Sequence, residues 1–128
     1  MIFDGGVEIA GSPSLHVVPP PMSSEAAVDP EEMFVASLSS CHMLWFLSLA
    51  AEKKFVVESY EDNAVGVLGK DADGKYAMTK VTLKPKAVFG DDIKPTAEQI
   101  NDLHEEAHEK CFIANSVKTV VTTEAVKE

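Results

Sequence analysis

Apolar residues crowd one stretch of this chain. Residues 33–51 carry Met33, Phe34, Val35, Leu38, Met43 and Leu44, then Trp45, Phe46, Leu47 and Leu49. Asp29-Pro30-Glu31-Glu32 stands just before them and reads as a helix start. Asp29 can accept from first-turn amides, Pro30 suits the first helical position, and Glu32 completes a capping box. Lys53-Lys54 suits the negative end of the helix dipole, so the pattern predicts a helix from about 30 to 53–54. Its apolar residues cover nearly every face. A helix of that kind must be enclosed on all sides, which one chain of 128 residues can hardly do. The expectation is a homodimer that buries this helix at or near its two-fold axis.

The flanking pattern is different. Residues 55–69 and 76–89 read as two long strands, joined by a turn at Asp71-Ala72-Asp73-Gly74-Lys75. The second alternates, with Ala77, Val81, Leu83, Ala87 and Phe89 on one side and Lys80, Thr82, Lys84 and Lys86 on the other. Pro95-Thr96-Ala97-Glu98 opens a helix through about Lys110, with Ile100, Leu103 and Ala107 as its stripe. Residues 111–116 continue it or form a short second helix, and 119–126 form a terminal strand. Near the start, Asp4-Gly5-Gly6 is a hairpin-turn signal with only three residues before it, so the first strand looks cut short. Residues 14–18 suggest a short strand and Pro19-Pro20-Pro21 a stiff loop. The order gives an α+β fold, and the length gives one domain over residues 1–128.

Charge narrows the functions. Eleven basic against 21 acidic residues give a net charge of −10. A nucleic-acid partner needs a basic face, and an anionic membrane surface needs the same. All the basic residues are lysines, so no guanidinium fork is present to clamp a carboxylate, a phosphate or a thiolate. Ser37, Ser39, Ser40, His42 and Ser48 interrupt the apolar stretch, which favours a buried core helix over a membrane span. No basic-then-apolar leader opens the sequence, and the expected location is cytoplasmic. There a permanent disulfide is disfavoured and a catalytic one is not.

The chemistry rests on few residues. Cys41 has Ser37, Leu38, Leu44 and Trp45 as its helix-face neighbours, an apolar setting that raises a thiol pKa unless something compensates. Taken alone it reads as a packed cysteine. Cys111 follows His104 and His108 at i+7 and i+3, and with Cys41 these make a two-His, two-Cys metal reading. Glu105, Glu106 and Glu109 argue instead for a solvated helix. His42 points about 100° away from Cys41 around the helix, so it is expected to be bonded to a carbonyl in the core or at an interface. Glu31 is a cap charge that stands ten residues, about 15 Å, before Cys41, within reach only across two antiparallel copies of the helix.

Residues 29–45 (DPEEMFVASLSSCHMLW) resemble the first active-site motif of the OsmC/organic hydroperoxide resistance family. Residues 107–117 (AHEKCFIANSV) resemble its second, and the similarity runs through nearly the whole chain from Phe3 onward. The resemblance implies an OsmC-like fold, with antiparallel sheets around a long central helix, in an intertwined homodimer. It implies a thiol-dependent peroxidase that reduces organic hydroperoxides, and hydrogen peroxide beside them, with no cofactor and no metal. Carried over by motif, Cys41 is the peroxidatic cysteine, Cys111 the resolving one, and Glu31 the carboxylate that positions the activating group. The partners implied are the hydroperoxide and an external dithiol reductant. Two departures stand out. The family's activating arginine, upstream of the Phe-Asp-Gly-Gly turn in the members most similar, has no counterpart in this sequence. Phe112 follows Cys111 where many members have proline, which marks a subfamily. The expectation is therefore a peroxidase of weak activity. The alternative is a non-catalytic or metal-binding OsmC-like dimer that binds an apolar small molecule.

Overall fold

The computed structural model describes residues 1–90 and 92–128. The chain divides into two compact units, Met1–Phe34 and Val35–Glu128.

The first unit is held by turns rather than by a sheet. Asp4–Gly6 forms one 3-10 turn, with Gly5 and Gly6 at φ 81° and 80°, where a glycine meets no steric cost. The hairpin signal is thus a real reversal, but its arms are reduced to the single antiparallel bridge Ile2↔Glu8. The strand expected over 14–18 is absent. Ser14 instead closes a turn: its carbonyl accepts from the N–H groups of Val17 (3.1 Å) and Val18 (2.9 Å). Its hydroxyl accepts from His16 N–H (3.2 Å), the local competition by which serine displaces a strand. Asp29 and Glu32 form the capping box expected of them. Glu32 N–H donates to Asp29 Oδ1 (2.7 Å), and Asp29 N–H donates to Glu32 Oε1 (3.4 Å).

The helix they cap, α1, runs Pro30–Glu52. Only one stripe of it is buried: Leu38, His42, Phe46, Leu49 and Ala50. These are at i, i+4, i+8, i+11 and i+12, the spacing of one helical face. Leu44 is 60% exposed, and Met43, Trp45 and Leu47 are half-buried. The helix is also long and apolar enough to cross a membrane by length and composition. One chain therefore leaves much of this helix uncovered.

In the second unit each long strand expected from the pattern is two strands. Residues 55–69 become β1 (Val57–Asp62) and β2 (Val65–Lys70), and residues 76–89 become β3 (Tyr76–Leu83) and β4 (Pro85–Phe89). β1 pairs with β4, antiparallel, and β2 with β3, antiparallel, so between β1 and β4 the chain changes sheet twice. Asp62 marks the switch. Its Oδ1 accepts from Lys84 N–H (2.7 Å), between β3 and β4, and its Oδ2 accepts from Ser39 Oγ on α1 (2.5 Å). A carboxylate that takes a backbone donor out of the ladder ends pairing where simple alternation would continue it. The turn over 71–75 matches the expectation, with Gly74 at φ 77° and Asp71 Oδ1 accepting from the N–H groups of Asp73 and Lys75, both at 2.9 Å.

Helix α2 (Ala97–Lys110) starts at a full capping box between Thr96 and Gln99. Its apolar stripe packs Leu103 and Ala107 against Phe46, Leu49 and Ala50 of α1 and Ala87 and Phe89 of β4. Cys111, with ψ 109°, breaks the helix, and a short α3 (Phe112–Asn115) follows. β5 (Val120–Thr123) joins β3, parallel to it, so the three-stranded sheet is mixed. The α+β class and the long central helix agree with the sequence reading.

Candidate active site

Two free cysteines, Cys41 and Cys111, come together in the second unit. Cys41 is half-buried in the middle of α1. Cys111 is 1% exposed and serves as both the end of α2 and the N-cap of α3. Its Sγ accepts from Ala114 N–H (3.5 Å), and its thiol lies within hydrogen-bonding reach of Cys41. Burial raises the Cys111 pKa above its ordinary value. The Ala114 amide works the other way, and the Cys41 sulfur and any negative charge on it raise it further. Cys111 therefore stays protonated near neutrality and presents an S–H to its neighbour.

An aromatic contact runs beside the thiols. Trp45, one turn after Cys41, meets the Phe112 ring edge-on at 5.7 Å and 86°. Lys110 Nζ stands 5.7 Å from the Trp45 ring centre, within cation–π range.

His42, next to Cys41 in sequence, is turned into the core and is 1% exposed. Its partner is not a carbonyl but another histidine. Nε2 of His42 lies 2.9 Å from Nδ1 of His104, and the two rings are nearly coplanar at 7°. Phe46 stacks on His104 at 4.3 Å. Burial lowers the His42 pKa to about 4; His108 lowers it further and Asp62 opposes. Burial, then His42, lowers His104 to about 4 as well. Both imidazoles are neutral near pH 7, so one N–H joins the two nitrogens. His42 Nδ1 and the Tyr60 hydroxyl are buried without hydrogen-bond partners among the described residues.

His104 was hidden in the sequence among acidic neighbours. The signal that finds it is its place in the α2 stripe, one residue after Leu103 and four after Ile100. With His104 committed to His42 and His108 exposed, the two-His, two-Cys arrangement does not form. Among the described residues no three His, Cys, Asp or Glu side chains are gathered to hold a metal ion.

Glu31 belongs to the first unit and the thiol pair to the second. It lines a largely apolar cleft of about 470 Å³, together with Met1, Pro13, Val17, Val28 and Met33. Its Oε2 is buried and has no hydrogen-bond partner among the described residues. No guanidinium exists in this sequence to meet it.

A long apolar helix, two small sheets and a pair of reduced cysteines at a helix break define an α+β protein with a dithiol site. The chain belongs to the OsmC-like protein family, whose pattern matches residues 23–125. An OsmC-like protein of unknown function from Vibrio cholerae is 60% identical, with a TM-score of 0.96 over 98% of this chain and 81% of that one. The fold recurs in an organic hydroperoxide resistance protein from Elizabethkingia anophelis, at 19% identity and a TM-score of 0.72 over 98% of this chain and 84% of that one. It recurs again in the organic hydroperoxide resistance protein OhrB of Bacillus subtilis, at 23% identity and a TM-score of 0.62 over 81% of this chain and 73% of that one. No curated protein matches the chain.

Proposed function

We propose that this protein is a two-cysteine peroxidase for organic hydroperoxides, with hydrogen peroxide a poorer substrate. The observation that carries the reading is the Cys41–Cys111 pair, two reduced sulfurs within hydrogen-bonding reach, one of them reachable from outside and the other sealed. Membership in the OsmC-like family supports it, as do the two hydroperoxide resistance proteins that share the fold.

The Cys41 thiolate attacks the distal peroxide oxygen; the O–O bond breaks, and the alkoxide leaves as an alcohol after taking a proton. Cys41 becomes a sulfenic acid. The Cys111 sulfur then attacks the Cys41 sulfur; hydroxide leaves, takes the Cys111 proton, and departs as water, closing a disulfide. An external dithiol restores both thiols by exchange. The raised Cys111 pKa fits the resolving role, because that sulfur needs its nucleophilicity only after Cys41 is oxidised.

The Cys111 S–H is the donor beside Cys41 in a sequence without arginine. A single thiol donor is far weaker than a guanidinium fork, so turnover is slow. In a homodimer the exposed face of α1 is covered, and Glu31 of one chain approaches Cys41 of the other. The substrate is apolar, the reductant is a dithiol, and the compartment is the reducing cytoplasm. The test is peroxide consumption with excess dithiol reductant and an organic hydroperoxide. Dithiol-dependent consumption that Cys41→Ser abolishes supports the reading, whereas equal rates for both proteins refute it.

A further inference from the structure

Cys111 sits at a joint. It ends α2, starts α3, and has the extended ψ of 109° between two helical segments. Local bonds fasten α3 to that joint: Asn115 N–H donates to Cys111 O (3.1 Å), Asn115 Nδ2 to Glu109 O (3.0 Å), and Ser116 Oγ to Phe112 O (2.7 Å). None of these three bonds reaches α1. Among the contacts that reach α1 from the joint are the Cys41–Cys111 thiols, the Trp45–Phe112 rings one helical turn along, and Lys110 over the Trp45 ring. Phe112 is 68% exposed in the single chain. Its contact is the edge-to-face one on Trp45, whose ring is also approached by Lys110.

The geometry points to Phe112 and Trp45 as positioning residues that hold Cys111 over Cys41 for disulfide closure. The inference rests on the disulfide step proposed above. An edge-to-face pair adds to the burial of its rings. Placed one turn from the sulfurs, that energy is spent on the approach of two reacting atoms, where orientation governs rate. Closure forms one S–S bond. On a sulfenic acid it releases water; from two thiols it releases two electrons and two protons to an added oxidant. Once closed, the disulfide holds the joint by itself, so the rings matter for the rate of closing more than for the product.

The test separates this step from peroxide chemistry. Diamide, an azo oxidant that takes up two electrons and two protons to become a hydrazine, closes a dithiol with no peroxide present. Closure is followed by free-thiol titration in the native protein, Phe112→Ala, Phe112→Pro and Phe112→Tyr, with thermal unfolding as a check on the fold. Proline is tolerated at the first position of a helix, so Phe112→Pro removes the ring and keeps α3. Expected are closure slowed on the order of three- to tenfold in the alanine and proline variants and restored within about twofold by tyrosine. With excess organic hydroperoxide, the slowed variants convert more Cys41 to sulfinic acid than the native protein does. Alanine and proline variants that close with diamide at the native rate overturn the inference. If peroxide leaves the native thiols intact while diamide shows the ring effect, the peroxidase reading fails and the positioning role stands.

Discussion

Cys41 and His42 are neighbours on α1, and each meets a partner from α2 or its C-cap. Cys41 meets Cys111, and His42 meets His104. The two pairs join the same two segments and differ in almost everything else. The cysteine pair lies where α1 is half-covered, at a break between two helices. The histidine pair lies on the buried stripe, sealed by Phe46 and held neutral by burial. A rotation of about 100° around one helix separates a half-buried position from a sealed one. Type of residue does not make the difference, since histidine is the commoner acid and base. What differs is burial: Cys41 is half-buried, and His42 is sealed.

The comparison breaks first at Cys41. Cys41→Ser removes disulfide formation and peroxide consumption entirely, while Cys111→Ser leaves one oxidation of Cys41, which proceeds to sulfinic acid. Intact-mass measurement after peroxide treatment distinguishes the two. At the other pair the effect falls on stability. His42→Ala or His104→Ala leaves a cavity and an unpaired buried nitrogen, so each destabilises by roughly 2–4 kcal/mol. Chemical denaturation measures the loss, and diamide closure at the native rate shows that the histidines take no part in the thiol step.

Acid gives a smaller effect with a defined window. Both folded-state histidine pKa values are lowered from 6.5 to about 4. The folded protein therefore binds fewer protons than the unfolded chain, and acid favours unfolding. The stability contributed by the neutral pair is complete above pH 6.5 and is lost as pH falls toward 4. Adding the first proton to the pair costs roughly 3 kcal/mol, at 1.36 kcal/mol per pKa unit. Denaturation midpoints from pH 7 to 4 follow that loss, and a His42→Leu, His104→Leu double variant flattens it. The smallest effect sharpens the reading. Asp62 opposes the lowering of the His42 pKa. Asp62→Asn keeps an acceptor for Lys84 N–H, removes the charge and lets the folded-state His42 pKa fall by roughly a few tenths of a unit further, so slightly more stability is lost in acid.

Much of this was legible in the residues. The α1 start was written in Asp29, Pro30 and Glu32, the α2 start in Pro95-Thr96-Ala97-Glu98, and the reversals in Gly5, Gly6 and Gly74. Local chemistry settles each of them. The two cysteines were legible through their motifs, although Cys41 read alone as packing. What the pattern concealed was long-range. The sheet switch depends on Asp62 reaching both Lys84 and Ser39, 22 and 23 residues away, and a charged residue inside an alternating strand gives no sign of that. The His42–His104 pair spans 62 residues and needs two buried stripes to face each other. The strand expected over 14–18 failed because one serine hydroxyl competes for the backbone. Phe112 could be seen to depart from the family, but its partner Trp45 could not.

The account stands most directly on a thiol count. The reduced protein, treated with one equivalent of cumene hydroperoxide and no reductant, is titrated for free thiols and weighed by mass spectrometry under non-reducing conditions. The account predicts loss of both free thiols, cumyl alcohol in equal amount, and a chain lighter by two hydrogens with Cys41 joined to Cys111. Two thiols still titrating, with the hydroperoxide unconsumed, contradict it.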